Sequence, residues 1–72
     1  MMIPIFSGLH YSYSYEVETS HYLLYDNEYK SYIYLQGDDA RIFREQIKHI
    51  DTMQDPENKT GLLTENTISI YL

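Results

Sequence analysis

The stretch "HYSYSYEVE", residues 10–18, decides the fold because its aromatic and polar side chains alternate. In a β-strand, successive side chains point to opposite faces of the sheet, so residues two apart share a face. The aromatic residues of this alternation are Tyr11, Tyr13 and Tyr15. The pattern predicts a half-buried strand over residues 9–17, with the three rings mainly in the core.

Two more short segments with strand character follow. Residues 21–25, "HYLLY", and residues 28–36, "EYKSYIYLQ", are separated by the sequence Asp26-Asn27, which is typical of a tight hairpin turn. A turn at residues 18–20 precedes them. The sequence therefore predicts a three-stranded antiparallel meander, with both edge strands lacking a protective proline.

The segment "DARIFREQIKHIDTM", residues 39–53, has the period of an amphipathic helix. Its apolar residues recur at spacings of three and four, and they are Ala40, Phe43, Ile47, Ile50 and Met53. Asp38 or Asp39 is expected to cap the start of this helix. The opposite, charged side of the helix is expected to face solvent, and it carries Arg41, Arg44, Glu45, Lys48 and Asp51.

The last part of the chain allows two interpretations. Residues 54–61 form a polar loop marked by a proline and a glycine, and residues 62–72 follow it. A short helix capped by Thr64 is favoured, and a fourth strand is the alternative. The fold class is accordingly α+β in a single domain, residues 1–72: a meander, one helix packed on it, and a short C-terminal helix or strand.

The charge restricts the function. The chain has 72 residues, of which 11 are acidic and 5 are basic, giving a formal net charge of −6. This balance disfavours binding to a phosphate backbone and favours a basic partner surface. No apolar run is long enough for a membrane span, and there is no cysteine. We therefore expect a cytoplasmic protein without a membrane partner.

No cofactor, metal site or catalytic residue is predicted. His10, His21 and His49 are scattered, and no pair within one element has the spacing of metal ligands. No serine, histidine and carboxylate form a recognisable catalytic set, and the acidic pair at 38–39 is explained by a helix start. The sequence thus predicts that the protein is not an enzyme.

The surplus of tyrosine is the remaining signal, because nine phenol rings exceed what one small helix can cover. Tyr32 and Tyr34 are expected on an exposed or partner-covered face, where tyrosine often dominates binding to proteins. The predicted partner-binding residues are Tyr22, Tyr25, Tyr32, Tyr34, Glu16, Glu18, Asp38 and Asp39.

These observations predict a small acidic protein-binding module that inhibits or modulates a protein with a basic surface. Its carboxylates would imitate nucleic-acid phosphates, and its composition is similar to that of accessory proteins of phages and other mobile elements. The alternative is a structural or assembly protein that forms an oligomer, such as a homodimer, through its tyrosine-rich sheet face. A single-stranded nucleic-acid binder ranks third, since few cations lie within the strands.

Overall fold

A computed structural model describes residues 1–52 and 60–72, which form an antiparallel sheet with two helices on one face. The strands are β1 (Met2–Ser7), β2 (Tyr11–Glu16), β3 (His21–Asp26) and β4 (Tyr32–Leu35), and the helices are α1 (Gly37–Asp51) and α2 (Thr60–Tyr71). Strand order in the sheet equals chain order, so the sheet is a meander. The predicted α+β class is confirmed, with four strands in place of three.

Strand β1 is the element that the sequence analysis missed. It contains Pro4 and lacks strict alternation, so it has little local strand signal. The pairing with β2 supplies what the local sequence lacks, and its register shifts between Pro4 and Phe6, which places a bulge at this point. Proline is tolerated here because β1 lies at the edge of the sheet, where a missing N–H donor costs little.

The inner face of the sheet carries the core. The register places Tyr13 opposite Leu24, and both are buried beneath the helices. Tyr11 and Tyr15 share this face and are half-buried, since residues two apart in β2 point the same way. The expectation that this stripe lies mainly in the core is therefore confirmed for Tyr13 alone, while Tyr11 packs against the core from its margin.

Helix α1 has the predicted apolar stripe but begins earlier than predicted. The residues of the stripe within the described part of the chain are all buried, and they are Ala40, Phe43, Ile47 and Ile50; Met53 lies outside the described residues. The cap prediction is wrong, because Gln36 is the N-cap residue and makes no side-chain cap bond. Asp38 and Asp39 lie in the first turn, where a carboxylate still complements the positive end of the helix dipole.

The C-terminal segment is a helix, as favoured from the sequence. It begins at Thr60, so Thr64 is a buried residue within the helix and not its cap. Residues 53–59, which include most of the predicted polar loop, lie outside the described residues, while Gly61 belongs to α2. Because Thr60–Tyr71 is helical, the fourth-strand alternative is excluded. Within residues 1–52 and 60–72, neither helix is long and apolar enough to cross a membrane.

Helix α2 holds the β1–β2 turn through one carboxylate. Glu65 Oε1 accepts hydrogen bonds from the backbone N–H groups of His10, at 2.6 Å, and Tyr11, at 3.0 Å. The turn fits beneath this side chain because Gly8 has no Cβ: one built there would lie 2.5 Å from the same oxygen. This carboxylate connects an early and a late part of the chain.

The β3–β4 turn explains why the third predicted strand starts later than expected. The Asp26 carboxylate accepts hydrogen bonds from the N–H groups of Glu28, at 2.9 Å, and Tyr29, at 3.0 Å. Lys30 then adopts a left-handed conformation with φ of 62°. The turn thus takes in residues 28–31, which the sequence pattern assigned to a strand.

Candidate partner-binding face

The side of the sheet opposite the helices carries an aromatic surface. We call it the outer tyrosine face and define it by Leu23, Tyr25, Tyr32 and Tyr34 of β3 and β4. Register joins its members directly, because Tyr25 is opposite Tyr32 and Leu23 is opposite Tyr34. The helices pack on the other side, where Leu24 and Leu35 are buried.

The backbone bonding of β3 and β4 brings these side chains close together. The Asp26 N–H donates to the Ser31 carbonyl oxygen at 2.8 Å. Bonded and non-bonded pairs alternate in an antiparallel ladder, so Tyr25/Tyr32 and Leu23/Tyr34 are non-bonded pairs. Such pairs have the shorter Cα separation, so their side chains start closer together than those of bonded pairs.

The two tyrosines of β4 are the most exposed part of this surface. Tyr32 is 62 % exposed and Tyr34 is 52 % exposed, which confirms their predicted position on an exposed face. Their ring centroids are 6.1 Å apart with an interplanar angle of 85°, an edge-to-face arrangement. An exposed, prearranged pair of large rings is a typical feature of protein-binding surfaces.

Tyr22 lies on the inner face, apart from the other three tyrosines of the predicted set. Its ring centroid is 5.0 Å from that of Tyr15 and 5.3 Å from that of Phe43. Burial raises the pKa of the Tyr22 hydroxyl, and the charge of Arg44 acts in the opposite direction. The alternation within β3 carries this information, since residues 22 and 25 are three apart and must point to opposite faces.

Two of the predicted carboxylates lie around the β2–β3 turn. Glu16 accepts a hydrogen bond from the amine of Met1 at 2.5 Å and another from the Glu18 N–H at 3.2 Å. These bonds, the first above all, lower the pKa of Glu16. Glu18 is exposed and lies 3.6 Å from the same amine. The amine binds Glu16 more closely than Glu18, and the Glu18 side chain is the more exposed, so Glu18 is the more available of the two.

Asp38 and Asp39 lie at the same end of the sheet. They come shortly after the end of β4, in the first turn of α1. The last residue of β4, Leu35, is opposite Tyr22 near the start of β3. Both carboxylates are exposed. The structure therefore places all four predicted acidic residues at one end of the sheet, beyond the Tyr34 end of the outer tyrosine face.

The two edges of the sheet differ, contrary to the prediction that neither has a proline. The β1 edge contains Pro4 and a bulge, and both features hinder pairing with another strand. In the β4 edge, the bonding pattern given above turns the N–H and C=O groups of Tyr32 and Tyr34 away from β3. This difference does not show in the sequence pattern, because β1 has little local strand signal.

Within residues 1–52 and 60–72, no three histidine, cysteine, aspartate or glutamate side chains lie together as ligands for a metal ion. The chemistry available at the outer tyrosine face is aromatic contact, hydrogen bonding by phenol groups and attraction of positive charge. Comparison of the chain with family models, curated proteins and solved structures found no match.

Proposed function

We propose that this protein is a non-enzymatic module of the cytoplasm that binds another protein through the outer tyrosine face and thereby inhibits or modulates it. The observation that carries the proposal is the uncovered pair Tyr32 and Tyr34, held edge to face on a sheet whose other side is already packed. Folding does not require these rings, because the core is formed on the inner face.

The energetic contribution of such a pair is large enough for recognition. A fully buried aromatic side chain covers roughly 150–250 Å², about half of this area is still exposed in Tyr32 and Tyr34, and apolar burial contributes about 25 cal/mol per Å². Tyrosine also loses little conformational entropy on binding, and Tyr32 and Tyr34 already contact each other in the free protein. A few such residues commonly supply most of the affinity of an interface.

Charge indicates the kind of partner. The chain has a net charge of −6, and the exposed carboxylates of Glu18, Asp38 and Asp39 lie at one end of the sheet. A partner with a basic surface would be attracted at long range and oriented by these groups. Because exposed charges are screened by salt, binding should weaken as ionic strength rises.

The test compares two double variants of the full chain as baits in lysate of the source organism. Tyr32→Ser with Tyr34→Ser removes the exposed rings, and Leu62→Ser with Ile70→Ser removes two exposed apolar side chains from α2 as a control. We expect the first variant to lose at least tenfold in captured partner, measured by quantitative mass spectrometry, and the control to retain it. A partner captured equally by both variants, or independent of salt, would contradict the proposal.

The open β4 edge favours a second candidate, an assembly protein in which two copies pair edge to edge. Replacing Tyr34 with proline removes an outward N–H without removing a bond to β3, whereas Tyr34→Thr keeps that N–H. If this candidate is right, sedimentation shows a dimer for the wild type and for Tyr34→Thr, and a monomer for Tyr34→Pro. A wild-type monomer at several hundred micromolar would exclude it.

A further inference from the structure

A groove lies beside α1, where the charged side of the helix faces residues of strands β1 to β3 and of the β2–β3 turn. It has two adjoining compartments, of about 340 and 290 Å³, which share Tyr15, Tyr22 and Arg44 as walls. The first compartment is polar, and its lining includes Ser20, His21 and Arg41. The second is more apolar and adds Ile5, Tyr13 and Ile47. The whole groove lies on the helix side of the sheet and is therefore distinct from the outer tyrosine face.

The groove collects positive charge in a chain that has little of it. Three of the five basic residues line it, and they are Arg41, Arg44 and Lys48. They occupy one stripe of α1, at spacings of three and four. Like charges at such spacings disfavour a helix slightly, so helix stability does not explain the arrangement.

These cations have few internal partners. Arg41 lies 3.9 Å from Asp38 in an exposed, loose contact. Within residues 1–52 and 60–72, Arg44 and Lys48 take part in no ion pair closer than 4.0 Å. Two carboxylates line the groove, Glu45 in the first compartment and Asp51 in the second, against three cations, of which Arg44 borders both compartments.

Aromatic rings stand beside the cations. The centroids of Tyr15 and Tyr22 are 5.0 Å apart with an interplanar angle of 49°, and both rings border the two compartments. Burial raises the pKa of the Tyr22 hydroxyl and the charge of Arg44 acts in the opposite direction, in keeping with the place of both residues in the lining of the two compartments. A ligand in the groove would therefore meet positive charge and ring surface together.

We propose that the groove binds a nucleotide, with its phosphate at Arg41 and Arg44 and its base in the compartment of Ile5 and Ile47. One guanidinium group can bind two oxygens of a phosphate at once. The Ser20 hydroxyl and the His21 ring border the same compartment as the two arginines. Bases pack readily on tyrosine rings. The nucleotide is free or belongs to a single strand, since both sources present the same phosphate and base.

The experiment titrates the full chain with four probes. Two of them carry both phosphate and base: adenosine monophosphate, and a tetrathymidylate that has its internal phosphodiester groups but no terminal phosphate. The other two are adenosine and inorganic phosphate. Binding is followed by calorimetry and by amide chemical shifts. We expect at least one of the two phosphate-and-base probes to bind saturably, with adenosine and inorganic phosphate each at least tenfold weaker. Tighter binding of the tetranucleotide identifies a single strand as the source, and tighter binding of the monophosphate identifies the free nucleotide.

Two single variants complete the test. Arg44→Gln removes an exposed cation of the groove and should weaken binding at least tenfold, whereas Lys30→Gln removes an exposed cation of the β3–β4 turn and should have no effect. Binding of adenosine as tight as that of both phosphate-and-base probes, an unchanged Arg44→Gln variant, or no binding at millimolar probe overturns the proposal. The Tyr32→Ser, Tyr34→Ser variant should bind normally, so failure here and failure of the protein-binding proposal are separate results.

Discussion

Replacing Phe43 with alanine is expected to lower the free energy of unfolding by about 3–5 kcal/mol. Phe43 has no exposed surface, and its ring lies between three tyrosines from three different elements. Its centroid is 5.1 Å from that of Tyr13, 5.3 Å from that of Tyr22 and 5.8 Å from that of Tyr71. The substitution leaves a cavity where the sheet and both helices meet.

This loss is a large fraction of the total free energy of unfolding expected for a domain of this length. At about 0.05–0.15 kcal/mol per residue, the whole fold is stabilised by roughly 4–11 kcal/mol. Urea unfolding followed by circular dichroism measures the change. The neighbouring Ile42→Ala is the control, because Ile42 is 43 % exposed and should lose less than about 1 kcal/mol. A Phe43→Ala variant as stable as the Ile42→Ala variant would show that this ring is not the centre of the core.

The second large effect is a loss of stability at alkaline pH caused by Tyr13. Burial, helped by the negative charge of Asp51, raises the pKa of Tyr13 from 10.0 to about 12. Between these two values the unfolded chain has released the proton and the native state still holds it, so rising pH favours unfolding. The contribution of Tyr13 is complete below pH 10 and is lost as pH rises to 12. A shift of this size corresponds to about 2.7 kcal/mol.

The measurement is the free energy of unfolding in urea at pH 8, 10 and 11.5. Tyr13→Phe keeps the ring contacts and removes the ionisable group, so its stability should fall less between pH 8 and 11.5, by roughly 2 kcal/mol. Tyr32→Phe removes an exposed hydroxyl from the other face and should follow the wild-type curve. Parallel curves for Tyr13→Phe and the wild type would refute the assignment. Burial also raises the pKa values of Tyr22 and Tyr71, which adds to the alkaline loss.

Local periodicity was sufficient to predict the core positions of segments that have one buried face. The alternation around Tyr13 and the spacing of Phe43 and Ile47 both predicted core positions that the structure confirms. Both patterns arise because a strand or helix with one buried face must repeat its apolar residues at its own period. The same alternation separated Tyr32 and Tyr34 from Ile33 and Leu35, and the surplus of tyrosine, not the alternation, favoured the exposed face for the tyrosine pair.

The remaining features depend on contacts between distant residues. Strand β1 exists through its pairing with β2, which no pattern within residues 2–7 reveals. The start of β4 depends on the Asp26 carboxylate and on the left-handed Lys30, so the apparent strand signal over residues 28–31 was misleading. Single-segment reasoning has no access to such partners.

The candidate surfaces show the same division. Register, which alternation largely specifies, brings Tyr25, Tyr32 and Tyr34 together and separates Tyr22 from them. The groove was not predictable in this way, because Arg44 and Lys48 belong to the side of α1 that the sequence assigned to solvent. Only the placement of α1 against the sheet brings these side chains beside the tyrosine rings.

The position of Glu65 near the end of the chain affects how the protein folds during translation. Every strand pair joins neighbours in sequence, so the hairpins can form early with short loops. The acceptor for the His10 N–H lies 55 residues further on and is synthesised last among these parts. Until it emerges from the ribosome, the nascent sheet lacks α2, and the part of its apolar side that α2 covers stays open to chaperones and to other nascent chains.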